Sequence, residues 1–225
     1  MKKIMVLFSV LVIATLSLAY IGKLDDFNVG MKLAKLEKKQ LIVMFSDPSC
    51  FYCTKFQKET LVNDKVQELL KAGYIFVEIY PGEEEATIEV NGKTYNFSYS
   101  ELYAAFEVRG TPTFWFFDEN GTPITNLPGY APADIFVKVL QYMGEKAYMK
   151  GITFDAYTKQ NIDYIGESKL IKLTKKEADF VLENDPLART YTGEFDRYTI
   201  WVTENEALAS ELISKGAFRV ILVIE

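Results

Sequence analysis

Hydrophobic and polar positions fall into short, well-separated blocks along this chain. Residues 25–39 are apolar at helical spacing, with Phe27, Met31, Ala34 and Leu36 predicted on the inward face. Five consecutive apolar residues follow at 41–45 (LIVMF), a run suited to a strand buried on both faces. Ser46-Asp47-Pro48-Ser49 breaks the run, and a helix is predicted over 51–60. Asn63 or Asp64 caps another helix reaching residue 71, with Val66, Leu69 and Leu70 as its apolar side. Residues 74–80 (YIFVEIY), β-branched and aromatic, predict the second strand.

Pro81-Gly82 and the acidic run Glu83-Glu84-Glu85, read as a solvated loop, open an excursion. Asn91-Gly92, a strong two-residue turn signal, predicts a hairpin of strands 87–90 and 93–97, followed by a short helix over 100–106. Residues 113–117 and 123–127 are the third and fourth strands of the main pattern. A long helix is expected over 131–149, with Ile135, Phe136, Val139, Leu140 and Met143 on one face.

Beyond residue 159 the pattern restarts as a small βαβαβ unit. Its strands are 170–173, 198–202 and 219–224, and capping boxes at Thr174-x-x-Glu177 and Thr203-x-x-Glu206 open its helices. Right-handed crossovers predict both helices on one face of that sheet. The apolar run 220–224 asks for cover on the other face, from the preceding domain or a partner chain. The domains expected are therefore a leader at 1–19, a main α/β domain at 20–159 and a small α/β domain at 160–225.

Composition removes several function classes. With 25 basic against 31 acidic residues the formal charge is −6, and −8 once Lys2 and Lys3 leave with a leader. Neither nucleic acid nor anionic lipid finds a basic patch here. The chain has no histidine, which excludes Ser-His-Asp triads, Cys-His pairs and His-ligated zinc. Its two cysteines cannot complete a tetrahedral zinc site unless a second chain shares it, so neither metal nor cofactor is expected. Lys2-Lys3, the apolar stretch 4–16 and Ser17-Leu18-Ala19 read as a signal peptide cleaved after Ala19. An uncleaved anchor is the other reading, since 4–22 carries no charge, and it would be the only membrane contact. Either places the rest of the chain outside the cytosol, periplasmic or secreted, where disulfides persist.

The chemistry lies in Cys50-Phe51-Tyr52-Cys53, directly after a strand and at the first turn of a helix. Unpaired amides and the helix dipole there favour a thiolate, the nucleophile of disulfide exchange. Cys50, at the helix start, is expected to attack. Cys53, one turn further in and shielded, resolves the mixed disulfide. A structural staple is the competing reading, yet so short a loop adds little stability.

Val108-Arg109-Gly110-Thr111-Pro112-Thr113, followed by an apolar strand and a Gly-containing turn, resembles the thioredoxin-superfamily segment that carries a cis-proline beside the CxxC. Residues 25–149 share this resemblance, and their order of elements fits the thioredoxin fold: a mixed central sheet flanked by helices. It implies that Cys50 and Cys53 are a redox-active disulfide pair, that Pro112 is the cis-proline, and that Thr111 offers its backbone to an extended substrate. Ser49 replaces the usual tryptophan, Phe51-Tyr52 replaces Gly-Pro, and Met44 stands where thioredoxins bury an acid. Glu78, on the next strand, reads as a solvated or salt-bridged glutamate rather than a substitute for that acid. Tyr95, Phe97, Tyr99 and Tyr103 either line a substrate groove or pack the hairpin and core.

The expected function is extracytoplasmic thiol–disulfide exchange with protein disulfide or dithiol substrates, supplied by an upstream redox partner. Reduction is favoured over oxidation or isomerisation. The alternative is a non-catalytic thioredoxin-fold binding or assembly protein with a structural or vestigial CxxC, and the 160–225 unit is read as a docking or structural module.

Overall fold

A computed structural model describes residues 20–225, apart from Asn91 and the side chain of Val90. The expected leader, 1–19, and the Asn91 of the Asn-Gly turn lie outside the described residues. Among those described, no helix is long and apolar enough to cross a membrane.

The central sheet runs β1 (Lys23–Leu24), β3 (Tyr74–Ile79), β2 (Gln40–Phe45), β6 (Thr113–Phe117), β7 (Pro123–Pro128) in that spatial order. β1 and β2 lie parallel to β3, whereas β6 is antiparallel to both β2 and β7. Every position of β2 and β3 is buried, as their largely apolar runs require, with Gln40 and Glu78 the polar exceptions. Alternation then sorts the side chains. Leu41, Val43, Phe45, Ile75 and Val77 face α1 (Phe27–Glu37), while Ile42, Met44, Tyr74 and Phe76 face the opposite layer. That opposite layer holds the short helix α2 (Phe51–Lys55), α3 (Asp64–Gly73) and α5 (Ala133–Gly144). This is a mixed sheet between helical layers, the architecture of the thioredoxin fold.

Asp26 caps α1, its carboxylate accepting the Val29 N–H, and Lys38 ends the helix in the left-handed region. Leu33 joins the inward face, and Leu36 is only half-buried. Gly30 is also inward, because any Cβ there would run into the Val77 side chain. The excursion forms a two-stranded sheet, β4 (Glu85–Val90) with β5 (Lys93–Ser98), then α4 (Tyr99–Ala105), which a Ser98/Glu101 capping box opens. Glu85 thus belongs to a strand rather than to the loop. The long helix expected over 131–149 stops at Gly144. Lys146 turns left-handed, a 3-10 turn follows at Ala147–Lys150, and Ile135 stays 38% exposed.

After α6 (Phe154–Thr158) comes a parallel sheet ordered β8 (Lys169–Thr174), β11 (Arg219–Ile224), β10 (Ile200–Thr203), β9 (Ala188–Thr190). β9 adds a fourth strand that the hydrophobic pattern does not announce. The two helices, α7 (Lys175–Asn184) and α8 (Glu206–Ser214), lie on opposite faces, contrary to expectation. Ala178 and Val181 of α7 pack with Ile171, Ile200 and Ile221, whereas Ala209 and Leu212 of α8 pack with Trp201, Val220 and Leu222. The reason is direction: β8 to β9 crosses the whole sheet one way, and β10 to β11 steps back the other way. The capping box at Thr174/Glu177 forms, but α8 is capped by Asn205 instead of Thr203.

The α7 face meets α1, where Lys32 Nζ lies 3.5 Å from the Phe180 ring centre. Arg219 is buried at this junction and donates to the Glu37 carbonyl (2.9 Å), the Lys38 carbonyl (3.3 Å) and the Glu167 carbonyl (2.6 Å). It thereby satisfies carbonyls left open at the end of α1. Beside it, Lys39 Nζ lies 3.0 Å from the Glu37 carboxyl group, both side chains being fully buried.

Candidate active site

Chain geometry delivers Cys50 to the end of β2. The Ser46 N–H donates to the Ile79 carbonyl (2.9 Å), closing the β2/β3 pair, and the chain then turns at Asp47. The Asp47 carboxylate accepts the Ser49 hydroxyl (2.5 Å) and the Ser49 N–H (2.8 Å), and these bonds hold its pKa below the ordinary value. The Cys50 N–H donates to the Asp47 carbonyl (3.0 Å). Cys50 is the N-cap of α2, and its Sγ accepts the Cys53 N–H at 3.0 Å.

Cys50 and Cys53 are joined as a disulfide, with Cα atoms 5.3 Å apart. They are unequal: Cys50 is half-buried, while Cys53 is 2% exposed within the core layer of α3 and α5. The helix predicted over 51–60 changes character midway. α2 passes at Phe56 into a π turn, Phe56–Thr60, with the Leu61 N–H donating to the Phe56 carbonyl (2.9 Å). The Phe56 ring centre lies 4.6 Å from that of Phe114 and 5.0 Å from that of Phe136, which anchors the helix in the core.

The Thr111–Pro112 peptide bond is cis. Thr113 pairs with Phe45 at the β2 end, and the Pro112 carbonyl accepts the Gly129 N–H (2.7 Å). Cys50 and Thr111 border one open groove of about 460 Å³, with Asp47, Tyr103 and Arg109 also on its walls. Of the four aromatic candidates only Tyr103 reaches this groove. Its hydroxyl accepts the Ser46 N–H (3.0 Å) and bonds the Ser46 and Ile79 carbonyls, tying the groove to the strand ends. Tyr95 and Phe97 stack on the hairpin, and the Tyr99 hydroxyl accepts the Phe27 N–H (2.9 Å).

A profile of the thioredoxin-like domain family matches residues 27–144, over half the chain. The chain belongs to the thioredoxin-like family. With its CxxC disulfide at the start of a helix, it is a thiol–disulfide oxidoreductase. Similar solved structures include a thioredoxin-fold protein from Helicobacter pylori, 25% identical, covering 60% of this chain and 92% of that one at a TM-score of 0.48. A thioredoxin from Thermus thermophilus is 23% identical, covering 57% and 91% with a TM-score of 0.45. The reduced C-terminal domain of DsbD from Neisseria meningitidis is 18% identical, covering 49% and 88% at 0.38. No curated protein sequence gives a significant match.

Within this thioredoxin-like site, Glu78 is salt-bridged, as one reading expected, but it is not solvated. It is 1% exposed and accepts Lys23 Nζ (2.7 Å), Gln57 Nε2 (2.7 and 2.9 Å) and the Tyr80 hydroxyl (2.9 Å). Sequence reasoning also missed Tyr130. Its ring lies 6.3 Å from that of Tyr52, Lys55 Nζ sits 4.7 Å from its centre, and its hydroxyl donates to Glu59 (2.8 Å). No local pattern marks Tyr130, because its partners lie more than 70 residues earlier in the chain. Gln57 had a detectable signal: it stands one helical turn after Cys53.

Proposed function

We propose that the chain reduces protein disulfides outside the cytosol, with Cys50 as nucleophile and Cys53 as resolving thiol. One observation carries the assignment of roles: Cys50 borders the groove while Cys53 is buried behind it, its N–H aimed at the Cys50 sulfur. In the reduced protein that N–H would stabilise a Cys50 thiolate. The thiolate attacks one sulfur of a substrate disulfide, forming a mixed disulfide and releasing the other substrate sulfur as a thiolate. Cys53, losing its proton, then attacks Cys50 Sγ and expels the second substrate thiolate. Two electrons pass to the substrate, and the protein returns to its own disulfide, which a partner dithiol must reduce for another cycle. Thr111, beside Cys50 in the groove, offers its backbone to an extended substrate segment.

Direction follows from what stabilises the thiolate. Phe51 and Tyr52 bring no cation to the turn, and the nearby Lys55 is engaged with Glu59 and Tyr130. A less stabilised thiolate makes a stronger reductant. The leader-like segment 1–19 supports an extracytoplasmic setting. We assign the chemistry to residues 20–159 and a supporting role to 160–225.

Equilibration with glutathione buffers tests the direction. A potential near about −270 mV supports a reductase, and one near about −120 mV would make it an oxidase. Absence of exchange in both the wild type and Cys50→Ser would leave a binding protein with a vestigial CxxC.

A further inference from the structure

Three aromatic rings form a continuous ladder beside Cys50, two of them from the residues between the cysteines. Phe51 is 73% exposed and Tyr52 is 55% exposed, although both are large and apolar. Their ring centres are 5.4 Å apart, edge to face, and Tyr52 lies 6.3 Å from Tyr130 at a shallow angle. As the first two helical residues of α2 they point away from the core, so packing does not explain their size.

Tyr130 keeps the ladder in place. Lys55 covers its ring and Glu59 accepts its hydroxyl, so one face of the helix grips a residue of the β7–α5 loop. The preceding residue, Gly129, is itself bonded to the Pro112 carbonyl. Tyr130 is therefore fixed to both parts of the redox site, and the Tyr52 and Phe51 rings extend the row from it. Pre-ordered aromatic side chains bind at low entropic cost, and tyrosine is enriched among residues that dominate interfaces.

Asp47 on the groove wall is a carboxylate hydrogen-bonded to Ser49, and the two cations nearby are each paired with an acid. Lys55 is offset by Glu59 at 3.9 Å, and Arg109 by Glu107 at 3.9 Å. On the side of the sulfur away from Asp47, what is exposed is the aromatic area of Phe51 and Tyr52. Resting on the reading of Cys50 as nucleophile, we infer that Phe51, Tyr52 and Tyr130 are a specificity platform for polypeptides that carry an apolar side chain next to the half-cystine under attack. The partner chemistry is thus an apolar-flanked disulfide, distinguished from one flanked by a small polar residue.

Two synthetic peptides, each closed by one intramolecular disulfide and differing only in Leu or Ser beside the half-cystine, test this. The reduced full-length protein should exchange with the Leu peptide about tenfold faster in kcat/KM. In the double variant Phe51→Ser, Tyr52→Ser the ratio of the two rates should fall close to one. Using the ratio cancels any change in redox potential. Both substitutions are at exposed positions, and an unchanged melting curve verifies folding. Equal rates in the wild type, or a preference retained in the variant, would overturn the platform while leaving the exchange reading intact. Exchange with neither peptide would overturn that reading and the inference with it.

Discussion

Glu78 lies directly opposite Met44 in the parallel register of β3 on β2, on the sheet face that also carries Cys53. An acid absent from one strand is present on its neighbour. There it is saturated with donors from three elements: Lys23 at β1, Gln57 in the π turn and Tyr80 after β3. Replacing it by Leu strands Gln57 and Tyr80 without an acceptor. The expected loss is about 1–3 kcal/mol for Glu78→Leu. Urea unfolding should show a smaller loss for Glu78→Gln, which keeps one acceptor oxygen.

The inequality of the cysteines predicts unequal trapping. Cys53→Ser leaves Cys50 free to attack with nothing to release the mixed disulfide, so covalent complexes with substrate proteins should accumulate and vanish on reduction. Cys50→Ser should trap few, because Cys53 is buried. Alkylation of the reduced protein followed by mass spectrometry should find Cys50 modified first. Equal trapping, or Cys53 modified first, would reverse the roles.

Glu37 gives stability a pH dependence. Burial pushes its carboxyl from the usual 4.5 up to about 8, with Asp185 adding to the rise and Lys39 opposing it. The unfolded chain gives up this proton at lower pH than the folded chain does. The contribution is therefore complete below about pH 4.5, is lost as pH rises through about 8, and flattens beyond. Urea midpoints measured from about pH 5 to about pH 9 should fall in the wild type and lose much of that slope in Glu37→Gln.

Arg219 links the second sheet to the end of α1. A chain ending at Lys159 should retain exchange, because the groove residues all lie earlier, yet it should melt at lower temperature once the α1 carbonyls lose their donor. Arg219→Met in the full chain should destabilise by about 2–4 kcal/mol in urea titrations, with single-turnover exchange unaffected. Loss of exchange in a folded truncation would move the site elsewhere.

β2 and β3 could be read from the sequence because burial on both faces leaves near-continuous apolar runs, LIVMF and YIFVEI, the second broken only by Glu78. The cysteine site could be read because a strand, a breaker and a helix start are adjacent in the chain. β9 could not: it has three residues, Ala-Arg-Thr, and it exists only because β10 pairs with it. Thr203 and Asn205 are both good caps two residues apart, and the Thr203 hydroxyl is taken by the Asn205 N–H (3.1 Å), leaving Asn205 to cap α8. Tyr130 and the Glu78 network are products of tertiary packing. Only a folded chain brings Lys23, Gln57 and Glu78 together.

The π turn at Phe56–Thr60 sets a rotational phase. It amounts to one residue more than an α-helical turn would hold, so everything after it is rotated by about 100° relative to an unbroken helix. Thr60 and Leu61, at its end, are buried in that phase, and the Thr60 hydroxyl reaches the Ala131 carbonyl at 2.8 Å. The surplus residue thus decouples the aim of the disulfide end from the seating of the core end. Each can meet its own geometric demand, much as a universal joint lets two shafts turn on different axes.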